Sequence, residues 1–411
     1  MNRAESQRYV TAPEAARLLG VKPATLYAYV SRGLLESVPA EHGRARRYRR
    51  ADLERLRAEG RRAGASAALR WGEPVLDSAI TAMTQEGPEY RGRSALELAR
   101  ADTPFEAVAE LLWTGALPAG RPAWSAGDAD LASLAAWLPD EAPPAAIQSL
   151  AVAALAPSDA GRFDLRTEAV LERARRLIRV LAASLALMRR ETQARSLRES
   201  LAAPSVAASV AIALGVAPRA RTVAALDRAL VALADHELNV STFAARVAAS
   251  ANADPYAAVS AGLAALSGPR HGAASDRVEA LVAEIEAAGD APRVIHERIR
   301  RGDLIPGFGH PFYPAGDPRA VLLIETAKAV AVRSRTAAAA FAAIDAMAEA
   351  GHPAPNVDAA LVAFRAALGL PRGAAAGLFA VGRTAGWIAH ILEQYAAGFL
   401  LRPRARFRRE A

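Results

Sequence analysis

Apolar residues recur at helical spacing along most of the chain. Val223, Leu226, Leu230 and Leu233 follow one another at steps of three and four residues, so they share one face of a helix. Short segments rich in proline and glycine separate such runs. Alternation with period two is weak everywhere except in 38–49. The pattern therefore predicts an all-α body, preceded by one small hairpin.

The first fifty residues have the pattern of a helix-turn-helix. Residues 11–14 (Thr-Ala-Pro-Glu) are typical of a helix start, because threonine caps, proline suits the first turn and glutamate stands at the capping-box position. A turn follows at 20–21, and a second helix is predicted over 22–30, with Thr25 and Tyr27 on it. In this arrangement the second helix can enter the major groove of DNA.

The segment 43–50 is strongly basic, which suits it to phosphate groups. Together with the two helices it resembles the MerR/excisionase-type winged helix, in which a basic hairpin forms the wing. We therefore predict that the DNA contacts include Thr25, Tyr27, Arg44, Arg46 and Arg47. A docking or oligomerisation module whose charge is merely solvated is the alternative interpretation.

The charge of the chain is concentrated at one end. Residues 1–62 contain 14 Lys and Arg against 7 Asp and Glu, whereas the remaining 349 residues contain 37 against 36. This distribution is typical of a nucleic-acid-binding module joined to a nearly neutral body.

Composition excludes several kinds of chemistry. The chain has no cysteine, which removes disulfides, thiolate nucleophiles and cysteine-based metal sites. No pair of histidines has metal-ligand helical spacing, and no phosphate-binding Gly-Lys loop is present. We expect neither a metal nor a cofactor. Because no charge-free apolar run approaches about 20 residues and the N-terminus is polar, we expect a cytoplasmic protein that does not contact a membrane.

Three histidines and one aspartate lie beside tight turns or helix ends. His236 follows a helical stripe, while His271 and His310 lie in loops fixed by glycine and proline. Taken alone, a histidine beside an apolar stripe is usually a core residue, and one in a glycine loop is usually just exposed. Asp358 follows Asn-Val at a predicted helix start, where the helix dipole is expected to keep a carboxylate ionised, as a general base requires.

Arg383 lies between Phe379 and Trp387 at steps of four residues, on an apolar helix face. A guanidinium there is nearly buried and needs an anionic partner. From the spacing alone, that partner is either a structural acid or a substrate carboxylate.

The body resembles the citrate synthase family from about residue 72 to 404, because six segments follow in the family's order. They are His-Glu-Leu-Asn-x-Ser-Thr-Phe-Ala-x-Arg at 236–246, Gly-Pro-x-His-Gly at 268–272, Gly-Phe-Gly-His-x-x-Tyr at 307–313 with Asp-Pro-Arg-Ala at 317–320, Asn-Val-Asp at 356–358, Gly-Arg-Thr-x-Gly-Trp-x-Ala-His at 382–390, and Arg-Pro-Arg at 402–404.

The resemblance implies an all-α citrate synthase fold with a large and a small helical domain, the small one closing on oxaloacetate. We expect a homodimer. The expected division is a winged helix-turn-helix at 1–62, a linker at 63–70, the first part of the large domain at 71–270, the small domain at 271–365, and the end of the large domain at 366–411.

The resemblance also implies roles for the residues. The protein would condense acetyl-CoA with oxaloacetate and water, giving citrate and CoA, so that the CoA thioester is a substrate and no cofactor is needed. Asp358 would remove the methyl proton, His271 would stabilise the enol or enolate, and His310 would polarise the oxaloacetate carbonyl. The residues implied to hold oxaloacetate are His236, Arg319, Arg383 and, from a second subunit, Arg402.

Arg270 and Ala359 depart from the family's usual leucine and aromatic residue, and both stand beside implied catalytic residues. They leave open whether acetyl-CoA or propionyl-CoA is preferred, and hence a 2-methylcitrate synthase. A further alternative is a DNA-binding regulator whose body senses oxaloacetate, citrate or an acyl-CoA. The complete set of catalytic residues argues against a purely sensory body.

Overall fold

The computed structural model describes residues 9–19, 21, 25–26, 29–30, 35–39, 46–53, 76–189, 191–405 and 407. The chain divides into two compact units, Met1–Asp77 and Ser78–Ala411. The exact domain boundaries expected from the sequence remain predictions.

The first unit contains a small antiparallel sheet and a helix. Strands β1 (Tyr9–Thr11), β2 (Ser37–Pro39) and β3 (Arg46–Arg49) pair in the order β1-β3-β2, and α1 spans Ala12–Leu19. The predicted hairpin is thus present, but β1 was not predicted, since three residues are too few to show alternation. The buried core residues of this unit are Val10, Ala15, Ala16, Leu26, Leu35, Tyr48 and Leu53.

The predicted helix start is present at α1. The Glu14 carboxylate accepts hydrogen bonds from the Thr11 backbone N–H (3.0 Å) and hydroxyl (2.9 Å). This is the glutamate half of a capping box, which fixes where β1 ends and α1 begins.

The second unit opens with three short antiparallel strands, where the sequence pattern indicated no strands. That expectation was wrong for β4 (Thr81–Thr84), β5 (Gly87–Tyr90) and β6 (Arg93–Ser94). Each has at most four residues, so period two could not be recognised. The fully buried Tyr90 hydroxyl donates toward the Val231 carbonyl oxygen (3.0 Å), which joins this sheet to the helical core.

The rest of the unit is helical, as predicted. Short 3₁₀ helices occupy Ala132–Trp137 and Leu185–Met188. The α-helices are α2 (Ala95–Arg100), α3 (Phe105–Thr114), α4 (Pro144–Ser158), α5 (Thr167–Ser184), α6 (Gln193–Leu201), α7 (Val206–Ala213), α8 (Ala220–Leu233), α9 (Val240–Ser250), α10 (Pro255–Leu266), α11 (Ala274–Ala288), α12 (Ala291–Arg300), α13 (Pro318–Val330), α14 (Arg335–Glu349), α15 (Val357–Ala367) and α16 (Ala374–Ala397).

Helix α16 is the central helix and packs against α3, α4, α5, α8, α9 and α10. It is the one described helix long and apolar enough to cross a bilayer, yet 89% of its apolar window is buried within the protein. Gly382 allows the close approach of α8, because a Cβ there would lie 3.0 Å from the Leu233 Cβ. The long apolar stretch is therefore accounted for by core packing.

Helices α11 to α15 pack on one another, with α13 against α15 and α14 against α11, α12 and α15. These helices span residues 274–367 and so overlap the range 271–365 that was expected to form the small domain, although α15 ends two residues beyond it. Three loops or helix starts in this group carry His271, His310 and Asp358.

Candidate active site

The loop that carries His310 is tied to the helix start that carries Asp358. The Asn356 backbone N–H donates to the Gly307 carbonyl oxygen (2.9 Å), and its side-chain amide donates to the Gly309 carbonyl oxygen (3.1 Å). The same side chain caps α15 by accepting from the Asp358 N–H (2.9 Å). One asparagine therefore fixes both segments, which the sequence places almost fifty residues apart.

Three rings gather at the centre of the site. The ring centroids of His236 and His310 are 5.6 Å apart, those of His236 and Tyr313 are 5.9 Å apart, and those of His310 and Tyr313 are 4.9 Å apart. The described residues offer no hydrogen-bond partner to His236 Nε2 or to the Tyr313 hydroxyl, although both atoms are buried. Such atoms are suited to receive a polar ligand.

No role was predicted for Tyr313 from the sequence, although this residue belongs to the Gly-Phe-Gly-His-x-x-Tyr segment. Its side chain is 1% exposed, and burial raises the pKa of its hydroxyl to about 12. The hydroxyl is therefore a neutral hydrogen-bond donor at neutral pH. The spacing of three residues after His310 was the available signal.

His310 is held as a neutral ring with a defined proton position. Burial, and after it the Arg319 charge, lowers the pKa of the imidazole. Its Nδ1 accepts a hydrogen bond from the Phe312 backbone N–H (3.1 Å), so the proton of the neutral ring lies on Nε2. His310 can thus donate to a carbonyl oxygen from Nε2.

His271 is also neutral at physiological pH, since burial lowers the pKa of its ring to about 4, with help from the Arg383 charge. Its Nε2 lies 2.7 Å from the Ser241 hydroxyl oxygen, which also accepts from the Trp387 indole N–H (3.2 Å). The Ser241 hydroxyl also lies 2.7 Å from the acceptor Asn239 Oδ1, so its one hydrogen is directed either at Asn239 or at His271 Nε2. Donation to Nε2 places the ring proton on Nδ1. His271 then presents an N–H donor on its other side.

Asp358 lies at the first turn of α15, as predicted, but its ionisation differs from the expectation. Burial raises the pKa of the carboxyl to about 7, against the opposing charge of Arg319. Loss of water around the carboxylate therefore outweighs the favourable helix terminus. A base with a pKa near neutrality is well matched to proton transfer.

Two buried arginines differ in their partners. Arg319 donates from Nε and Nη2 to the two oxygens of Asp317 at 3.0 and 2.7 Å, and both side chains are buried. Arg383 donates from Nε to the Leu233 carbonyl oxygen (2.9 Å), and its guanidinium lies 4.7 Å from the centre of the Phe379 ring.

Burial lowers the pKa of Arg383 to about 10, so it stays charged at neutral pH. Among the residues that the structure describes, no carboxylate lies within ion-pair distance of Arg383. Of the two partners left open by the sequence, this favours a substrate carboxylate.

Arg402 is exposed, and in the described part of the chain no hydrogen bond or ion pair joins it to this group. A single chain thus brings together His236, His271, His310, Arg319, Asp358 and Arg383 but leaves Arg402 outside. Its contribution from a second subunit remains a prediction.

The two departures from the family pattern occupy different environments. Ala359 is buried beneath the Gly307 turn: a Cβ on Gly307 would lie 2.9 Å from the Ala359 Cβ. Its side chain therefore belongs to the packing of that turn. Arg270 is exposed beside His271.

The predicted DNA contacts are described only in part. Thr25 is half-buried next to the fully buried Leu26, and Arg47 is half-buried. Arg46 is exposed and donates to the Ser37 hydroxyl oxygen (2.8 Å). Tyr27 and Arg44 lie outside the described residues.

Comparison with known proteins identifies relatives of both units. Residues 68–404 match the model of the citrate synthase C-terminal domain, and residues 9–61 match that of a helix-turn-helix domain. The chain is 33% identical over 337 residues to the citrate synthase of Haloferax volcanii, covering 77% of this chain and 88% of that protein. It is 30% identical over 353 residues to 2-methylcitrate synthase 2 of Corynebacterium glutamicum, covering 80% and 92%.

A similar solved structure is the ternary complex of Thermoplasma acidophilum citrate synthase with carboxymethyl coenzyme A and oxaloacetate. The TM-score is 0.72 at 25% identity, over 84% of this chain and 96% of that chain.

Proposed function

The chain belongs to the citrate synthase family, a family of condensing transferases, and it has a helix-turn-helix domain at its N-terminus. From this premise we propose that it condenses acetyl-CoA with oxaloacetate and water to give citrate and CoA. The observation that carries the proposal is the buried Arg383, which has no carboxylate at ion-pair distance among the described residues, together with two unpartnered polar atoms, His236 Nε2 and the Tyr313 hydroxyl.

These groups suit oxaloacetate. The substrate is a dianion, and a planar guanidinium donates to a carboxylate with two parallel hydrogen bonds. Arg383 supplies a charge that no described carboxylate contacts directly, although Asp235 lies near enough to interact with it electrostatically. Arg319 adds a second charge that Asp317 orients. His236 and Tyr313 supply neutral polar atoms in the same region.

The proton transfers follow from the three predicted catalytic residues. Asp358, as carboxylate, takes a proton from the acetyl methyl group, while His271 Nδ1–H donates to the thioester oxygen and stabilises the enol or enolate. The new carbon–carbon bond forms at the oxaloacetate keto carbon. His310 Nε2–H polarises this keto group and protonates the forming alkoxide. Water then hydrolyses the citryl-CoA thioester and releases CoA.

We further propose that the protein prefers acetyl-CoA to propionyl-CoA. The buried position of Ala359 supports it, because this departure packs beneath a turn and need not enlarge the acyl site. Initial rates of CoA thiol release with each thioester, and mass spectrometry of the products, test the preference. A higher kcat/KM for acetyl-CoA is expected. A tenfold preference for propionyl-CoA would instead identify a 2-methylcitrate synthase.

We propose a homodimer in which Arg402 of the partner subunit completes the oxaloacetate site. Mixing two inactive variants, Arg402→Ala and Asp358→Asn, would then restore activity in the mixed dimer, because one of its two sites is intact. Absence of recovery after subunit exchange would contradict this arrangement.

DNA binding by the first unit is a second proposed function. It is supported by the match to a helix-turn-helix domain and by the basic strand β3, which contains Arg46, Arg47 and Arg49. Fluorescence anisotropy with duplex DNA at several salt concentrations tests it. Arg46→Ala should weaken binding and reduce the salt slope by about one. Arg195→Ala, which removes an exposed arginine of the second unit, is the matched control and should have no effect.

A further inference from the structure

Asp235, which directly precedes His236, is a buried carboxylate that the proposed reaction does not use. Its side chain is fully buried. Oδ2 accepts a hydrogen bond from the Glu237 backbone N–H (3.1 Å) and lies 3.4 Å from His390 Nε2. One oxygen of Asp235 therefore contacts both the turn that carries His236 and the central helix α16.

The turn after Asp235 has a strained backbone. Glu237 has φ of +56°, a conformation that residues other than glycine rarely adopt, and its carbonyl oxygen accepts from the Asn239 N–H (2.9 Å). Such a conformation persists when its surroundings restrain it. The bond from the Glu237 N–H to Asp235 is the restraint closest to His236.

The turn is also packed tightly against α16. The Gly386 N–H donates to the Ala234 carbonyl oxygen (2.9 Å), and a Cβ on Gly386 would overlap Asp235 Oδ1. On another side, the Asp235 N–H donates to the Tyr90 hydroxyl oxygen (3.2 Å). Asp235 thus has a fixed position between α16 and strand β5.

The proton position on His390 follows from its other neighbour. Arg246 Nη1 lies 3.5 Å from His390 Nδ1 and 2.6 Å from the Glu393 carboxylate. Because arginine only donates, Nδ1 is the acceptor, and the proton of a neutral His390 lies on Nε2, facing Asp235. The ring is fully buried, so no solvent competes for this contact.

We propose that Asp235 and His390 are positioning residues that hold the 235–239 turn so that His236 Nε2 faces the oxaloacetate site. The inference rests on the proposed function, since it assigns an effect on that substrate. Loss of the pair lets the turn relax and moves His236. The Michaelis constant for oxaloacetate then rises, while the constant for acetyl-CoA and kcat change much less.

The test compares His390→Leu with His390→Gln. Leucine removes the donor that faces Asp235, whereas the glutamine amide can supply one. We expect His390→Leu to raise KM for oxaloacetate at least tenfold, and His390→Gln to restore it to within about threefold of the wild type. The dissociation constant for oxaloacetate, measured by calorimetry without turnover, should rise more in His390→Leu than in His390→Gln.

A stability control separates positioning from general damage. Asp227 is another buried carboxylate. Its hydrogen-bond partners are Arg121 and the Phe105 backbone N–H, neither of which is a predicted site residue, and Asp227→Asn breaks a structural ion pair. It should lower the urea midpoint without changing KM for oxaloacetate. If His390→Leu does not fold, Asp235→Ala serves in its place, because it removes the oxygen that accepts from the Glu237 N–H and faces His390 Nε2.

Unchanged oxaloacetate affinity in folded His390→Leu or Asp235→Ala, or equal changes in both substrates' KM values, would overturn the inference. If the wild type binds oxaloacetate but releases no CoA, the proposed function fails and the calorimetric comparison still decides the positioning role. If the wild type does not bind oxaloacetate, both fail.

Discussion

Replacing Asp358 with asparagine tests whether burial of this carboxyl opposes folding at neutral pH. The pKa of the carboxyl is about 7 in the folded protein. An unfolded aspartate has a pKa of about 3.9, and the difference of about 3 pH units corresponds to about 4 kcal/mol at pH 8, as an upper value. Asparagine has nearly the same shape but carries no charge that burial could penalise.

The sign follows from proton binding. Between about pH 4 and pH 7 the folded wild type binds a proton that the unfolded chain has lost, so its stability falls as pH rises through this range. The asparagine variant lacks the carboxyl and therefore lacks this pH-dependent loss of stability. The stability advantage of the variant should therefore be at most about 1 kcal/mol at pH 4.5 and should grow to roughly 2–4 kcal/mol at pH 8.

Urea unfolding followed by tryptophan fluorescence measures the difference, because Trp113, Trp124 and Trp387 are buried in the second unit. Glu168→Gln is the matched control, since Glu168 is an exposed acid in the first turn of α5. Its effect should stay within about 0.5 kcal/mol at both pH values. An Asp358→Asn effect of the same size at pH 4.5 and pH 8 would refute the reasoning.

Three further substitutions test separate parts of the site. Ser241→Ala removes the hydroxyl beside His271 Nε2, and steady-state rates should show kcat lowered by about 10- to 100-fold with little change in KM for oxaloacetate. Arg383→Lys replaces the planar guanidinium, and KM for oxaloacetate should rise by about 10- to 100-fold; an unchanged value would remove Arg383 from the site. Gly307→Ala introduces a side chain at φ +88° beneath packed neighbours, and urea unfolding should show a loss of at least about 1–3 kcal/mol.

The helical body could be read from the sequence because its signals are local. The start of α15 at Asn356 and the glycine-fixed loops around His271 and His310 depend on residues close together in the chain. The strands β4 to β6 could not be read in this way, because two to four residues are too few to establish alternation.

The properties of the site depend on contacts between distant segments. Ser241 and His271 are separated by 30 residues, and Asp235 and His390 by 155. Burial by such neighbours raises the pKa of Asp358, whereas its helix position alone predicts that the carboxyl stays fully ionised. The unpartnered hydroxyl of Tyr313 also becomes evident only when the rings of His236 and His310 are placed around it.

The most direct test of the proposed chemistry is CoA thiol release from acetyl-CoA with oxaloacetate, measured side by side for the wild type and Asp358→Asn. We expect turnover by the wild type and a loss of at least about 10²-fold in kcat for the variant, with oxaloacetate binding retained. Equal rates for the two proteins would contradict the role of Asp358 as the base. No release of CoA by a wild type that binds oxaloacetate would contradict the proposed reaction itself.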